Sequence, residues 1–126
     1  MHLCKFFAKI KAKTYMKLRE GINRNIWIVL KKIKRYYALY DSYYPIQYVV
    51  YLIPINNKSL SSQEECAILN DLAEANVIQI HCRQIKSDFR IIVYLDIIQP
   101  EFNEINREYE ISQQRYFDQK NLKSSE

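Results

Sequence analysis

The chain has 126 residues, enough for one compact domain with an extension, and its 48% hydrophobic and 26% charged content is that of a folded protein. Its net charge of +5 hides an asymmetry: residues 1–40 hold 11 Lys/Arg and one acid, Glu20, whereas residues 41–126 hold 8 Lys/Arg and 13 acids. A single glycine, Gly21, excludes every glycine-rich phosphate loop, and no apolar run approaches the roughly 20 residues that a membrane helix needs.

Residues 1–16 form a basic arm. The first twenty residues are lysine-rich and amphipathic, a composition shared with organellar targeting segments. The reading adopted is a retained arm held against a partner, because lysines alternating with Phe6, Phe7, Ile10 and Tyr15 suit phosphate neutralisation with apolar docking. Residues 17–44 contain an amphipathic basic helix. Leu18, Ile22, Ile26, Val29, Ile33, Tyr36 and Tyr40 recur at three- and four-residue steps, widened by Trp27 and Leu30. Arg24, Lys31, Lys32, Lys34 and Arg35 are expected on the opposite face. Asp41 to Pro45 breaks this helix, since the residue before proline disfavours helical geometry.

Residues 45–99 read as an α/β core of strand, helix and hairpin. The first strand, residues 46–53, alternates only partly, which predicts a strand covered on both faces. Pro54 ends it. The next helix starts at Ser61 or Ser62, because Glu64 and Glu65 complete a capping box in either register. Its expected buried stripe is Cys66, Leu69, Leu72 and Ala73, flanked by Ile68 and Ala75. Asn76 ends it, since asparagine tolerates the left-handed conformation. Residues 77–85 and 89–98 then form a hairpin about Lys86-Ser87-Asp88, with Ile91, Val93, Leu95 and Ile97 on one face. Residues 100–126 fit a helix through Phe102, Ile105, Tyr109, Ser112 and Tyr116, or an extended segment through Ile105, Arg107, Tyr109 and Ile111. The lack of glycine and the wealth of Glu and Gln favour the helix. The expected class is therefore α+β: a basic N-terminal helix, a two-layer strand-helix-hairpin domain, and a C-terminal segment that is helical or extended.

Catalytic chemistry finds no support. Cys4, Cys66 and Cys82 have no metal or redox spacing. His81 and Cys82 are neighbours on a strand and face opposite sides, so they cannot act as base and nucleophile. Glu64 and Glu65 are explained as caps, Asp71 and Glu74 as solvent-facing helix residues, and no pair of carboxylates shares an apolar cleft. No cofactor, metal or small-molecule substrate is expected, and the chain reads as a non-enzyme.

Four stretches carry a resemblance: Tyr51-Leu52-Ile53-Pro54, residues 67–78, residues 90–95, and Ile105-Asn106-Arg107 with residues 111–116. In this order they resemble the N-terminal domain of the universal small-subunit ribosomal protein eight family. Asn76 stands where that family usually has glycine, Gln113-Gln114 replaces its proline-glycine pair, and its C-terminal domain, which carries the main ribosomal-RNA contact, has no counterpart here. The resemblance implies a structural component of a small ribosomal subunit, most plausibly in the mitochondrial matrix, with ribosomal RNA and neighbouring ribosomal proteins as partners. The RNA-binding residues would then be Lys5, Lys9, Lys11, Lys13, Lys17, Arg19, Arg24, Lys31, Lys32, Lys34 and Arg35 of the basic region, with Arg107, Arg115 and Tyr116 of the downstream segment. An alternative is a non-catalytic accessory subunit of a mitochondrial respiratory-chain membrane complex, its basic helix on anionic lipid. A winged DNA-binding module is disfavoured, because the helix holding Glu64, Glu65, Asp71 and Glu74 is acidic where a recognition helix should be basic.

Overall fold

The computed structural model describes residues 24–39, 45–53 and 60–124. The elements are α1 (Arg24–Leu39), β1 (Ile46–Tyr51), α2 (Ser62–Glu74), β2 (Ile78–Lys86), β3 (Arg90–Ile97) and α3 (Glu101–Ser124). The fold is α+β, and the C-terminal segment is a helix. Residues 1–23, with Lys5, Lys9, Lys11, Lys13, Lys17 and Arg19, lie outside the described residues, as do Tyr40 and residues 54–59.

The three strands form an antiparallel sheet in the order β1-β3-β2. The strand richest in β-branched residues, β3, takes the centre, where both its edges are hydrogen-bonded. Ile46 pairs with Leu95, Tyr48 with Val93 and Val50 with Ile91, so the inward sets of β1 and β3 meet on one face. The helices cover that face. Ile26, Val29, Leu30 and Ile33 of α1, Ile68, Leu69 and Leu72 of α2, and Phe102, Ile105 and Tyr109 of α3 join the sheet residues in one core.

Two sequence-based expectations are corrected. β1 is covered on one face only: Ile46, Tyr48 and Val50 are buried, while Gln47 and Tyr51 are exposed. The apolar Val49 and Tyr51 blur the alternation because they sit on the open side. The buried face of α2 is also rotated. Glu65, Ile68, Leu69 and Leu72 turn inward and Ala75 is buried after them, whereas Cys66 and Ala73 are half-buried at the margin.

Local chemistry sets the ends of α2. Ser61 is the N-cap, its Oγ accepting from the Glu64 backbone N–H at 3.2 Å, with Glu64 and Glu65 in the first turn where the helix dipole favours negative charge. At the other end Asn76 adopts φ 63°, and the N–H groups of Asn76 and Val77 donate to the carbonyls of Ala73 and Leu72 at 3.1 and 2.9 Å. This doubly bonded left-handed exit satisfies two terminal carbonyls and turns the chain into β2. An L-residue other than Gly, Asn or Asp loses roughly 1–2 kcal/mol in that conformation. Asn76→Val should therefore lower the denaturation midpoint and Asn76→Gly should leave it unchanged or raised; equal midpoints for the two variants would show that the exit carries no such strain.

The β2–β3 ladder contains one irregularity. Ile80 pairs with Leu95 and Cys82 with Tyr94, leaving His81 as the extra residue of a bulge. The pleat therefore does not alternate simply there, and the opposed faces expected for His81 and Cys82 do not follow. His81 Nε2 lies 2.6 Å from Asp96 Oδ2 on the exposed surface. Among the described residues no group of three His, Cys, Asp or Glu side chains is arranged to hold a metal ion.

Candidate nucleic-acid interface

The contact that positions this surface is a pair of rings. Trp27 of α1 stacks on Tyr109 of α3, with centroids 6.5 Å apart and planes within 7°. This offset stack anchors one helix on the other. Beside it a groove of about 860 Å³ opens between the two helices. From α1 it is lined by Arg24, Trp27, Ile28 and Lys31, and from α3 by Ser112, Gln113, Arg115, Tyr116, Phe117, Gln119 and Lys120.

Helical spacing explains both walls. Arg24, Trp27, Ile28 and Lys31 stand at steps of three, one and three, and so fall on one side of α1. Gln113, Tyr116, Phe117 and Lys120 repeat the same steps on α3. The two rows are 89 residues apart in sequence, from Arg24 to Gln113 and from Lys31 to Lys120, and meet only because both helices pack on the same core.

Electrostatically the groove has one sign. Among the described residues four cations line it and no carboxylate does. The Lys31 ammonium lies 5.7 Å from the Trp27 ring centroid, and the Lys120 ammonium 6.0 Å from that of Tyr116. Cations at these distances are attracted by the ring quadrupole, which holds them beside the aromatic walls. Tyr116 and Phe117 meet edge to face at 6.3 Å and 73°, and both stay largely exposed. Asp118 is the nearest acid in sequence; its carboxylate accepts from Gln114 Nε2 at 3.1 Å and does not line the groove.

The other expected site residues are dispersed. Arg35 and Arg107 are exposed outside the groove lining. Lys34 pairs with Glu110 at 3.1 Å on the surface, a contact worth little in water. Lys32 is corrected outright. It is not on the solvent face of α1 but reaches inward, where Nζ donates to Glu65 Oε1 and to the Val49 carbonyl, each at 2.7 Å. The buried Glu65 also accepts from the Tyr48 hydroxyl at 2.5 Å, and the Lys32 ammonium sits 4.5 Å from the Tyr48 ring. Burial pushes the Tyr48 phenol up, and the Glu65 carboxylate pushes it further in the same direction, so the hydroxyl remains the proton donor. Lys32 and Glu65 therefore belong to the fold rather than to the surface.

Arg24, Lys31, Arg115 and Tyr116 are the expected site residues that the structure brings together. Trp27, Phe117 and Lys120 are the ones that sequence reasoning missed, and their signal was the shared spacing on the two helices. No protein-family model, curated protein or solved structure matches the chain.

Proposed function

We propose that the chain is a non-catalytic RNA-binding protein, a structural component of a small ribosomal subunit of mitochondria, and that the groove between α1 and α3 is part of its RNA contact. One observation carries the RNA part: among the described residues, four cations and three aromatic residues line a single groove and no carboxylate does. Basic side chains interleaved with aromatic ones match a polymer of phosphates and bases. The acid-poor first forty residues extend the same charge along the chain. The ribosomal part rests on the family resemblance of the strand-helix-hairpin segment.

The surface chemistry speaks against the two other readings. A helix that lies on a bilayer must sink its apolar face into lipid. The apolar face of α1 is already spent, with Val29, Leu30 and Ile33 fully buried in the core, and no described helix is long and apolar enough to cross a membrane. A DNA-reading α2 would present a basic outer face, yet that face carries Glu64 and Glu74.

The test is a salt titration of binding to small-subunit ribosomal RNA, comparing the unaltered chain with the triple variant Arg24→Ala/Lys31→Ala/Arg115→Ala. Each phosphate contact contributes about 0.7 to the slope of log affinity against log salt on single strands. The variant should bind more weakly and lose about 2 from that slope. An unchanged slope contradicts the groove as the phosphate site, and failure of the unaltered chain to bind or co-sediment with the subunit contradicts the ribosomal assignment.

A further inference from the structure

We infer that the groove between α1 and α3 takes unpaired nucleotides in preference to duplex, with Tyr116 and Phe117 as the stacking platform. The inference rests on the RNA reading above and goes beyond it in naming the form of RNA.

Neutralising phosphates requires only cations, and the aromatic residues here need a separate explanation. On α3 the aromatic side chains nearer the start of the helix are buried, Phe102 at 4% and Tyr109 at 3% exposure. Tyr116 continues the same helical face two turns beyond Tyr109 and a turn further lies Lys120, yet Tyr116 is 59% exposed and Phe117 57%. Two adjacent large rings left in water are unfavourable unless something covers them. Because the rings meet edge to face at 73°, at most one face of one ring is covered by its neighbour. What fits them must be flat and anionic at once, since Arg115 and Lys120 flank the rings and Arg24 and Lys31 form the facing wall.

An unpaired nucleotide has both properties. Its base offers a π-face, its phosphate a charge, and the pairing edges of the base stay free for side-chain amides such as Gln113 and Gln119. A duplex keeps its base faces stacked inside and shows only grooves and backbone, so it would engage the cations and leave the rings unused. The basic leading segment of this same chain, residues 1–23 with six Lys/Arg and one acid, is a poor occupant of a cationic groove on charge grounds.

The experiment measures fluorescence anisotropy of the full chain with three labelled probes at one ionic strength. The probes are an unstructured oligoribonucleotide of about a dozen nucleotides, a duplex RNA with the same number of phosphates, and polyglutamate of equal length. The single strand should bind more tightly than the duplex. Tyr116→Ala/Phe117→Ala should weaken single-strand binding by about tenfold or more and leave duplex binding and the melting curve unchanged. Tyr116→Phe/Phe117→Tyr, which keeps two flat rings, should retain the preference. Equal affinity for the two RNAs, or a preference that survives the double alanine variant, overturns the stacking inference; if the charge-removing triple variant still weakens both RNAs, the RNA reading itself stands. Absence of binding to either RNA, or tighter binding of polyglutamate, overturns both.

Discussion

Replacing Lys32 with methionine should destabilise the fold by up to about 3 kcal/mol, the low end of the range for losing one partner of a buried ion pair, because the Lys32 side chain is 22% exposed. The size follows from what is left behind. Glu65 is buried, and among the described residues its carboxylate would keep only the Tyr48 hydroxyl as a side-chain donor, while the Val49 carbonyl would lose the Lys32 ammonium. An ion in a water-poor site without a counter-charge is far more costly than the pair was favourable. The node also joins three elements, α1 through Lys32, β1 through Tyr48 and Val49, and α2 through Glu65, so its loss loosens the helix layer on the sheet. The double variant Lys32→Met/Glu65→Leu should recover most of the stability, because it removes both charges together. Chemical denaturation of the two single variants and the double gives the coupling directly. If Lys32→Met unfolds at the same midpoint as the unaltered chain, the pair does not act as described. The neighbouring lysine supplies a contrast: Lys31→Ala should spare stability and weaken RNA binding, whereas Lys32→Met should act on binding only through unfolding.

Leu69→Asp should abolish cooperative folding. Leu69 is 1% exposed and belongs to the core formed by α1, α2 and the inner face of the sheet. A carboxylate there would have no positioned donor, and the core would also lose the packing of a leucine. Together these exceed about 4–5 kcal/mol, comparable to the whole margin of a small domain. Circular dichroism and thermal melting should show lost helix signal and no sharp transition. A melting curve like that of the unaltered chain would place Leu69 on the wrong side of α2.

Much of this fold is legible in the residues alone. The Ser61–Glu64 cap, the left-handed exit at Asn76 and the β-branched run of β3 each act locally, so short windows suffice to read them. The rotation of α2 is less accessible. Glu65, Ile68, Leu69 and Leu72 form an inward stripe, but an acid in the first turn of a helix also makes sense as a cap, and only the presence of Lys32 and Tyr48 opposite it makes the inward position favourable. Lys32 is hidden for the matching reason: at the border of an apolar stripe a lysine can point either way, and its partner lies 33 residues downstream. The open face of β1 is masked by Val49 and Tyr51, whose apolar character imitates burial.

The groove shows the same division. Arg24 and Lys31 stand out in a basic helix, and Arg115 and Tyr116 in a segment of ambiguous form. Nothing local says that α1 and α3 bring them together, because that depends on Trp27 meeting Tyr109 across the core. The alternative strand pattern of residues 105–111 fails because an extended chain would put Arg107 and Ile111 on the same face as Ile105 and Tyr109, yet Arg107 and Ile111 are exposed while Phe102, Ile105 and Tyr109 reach the core at helical steps.

We propose that RNA occupies the groove between α1 and α3. Ultraviolet crosslinking of the chain within its native particle, followed by mass spectrometry of the nucleotide-bearing peptides, tests it most directly. Crosslinks are expected in residues 24–31 and 112–120, with Trp27, Tyr116 or Phe117 as the attachment points. Crosslinks confined to other segments, or a native particle that contains no RNA, would contradict it.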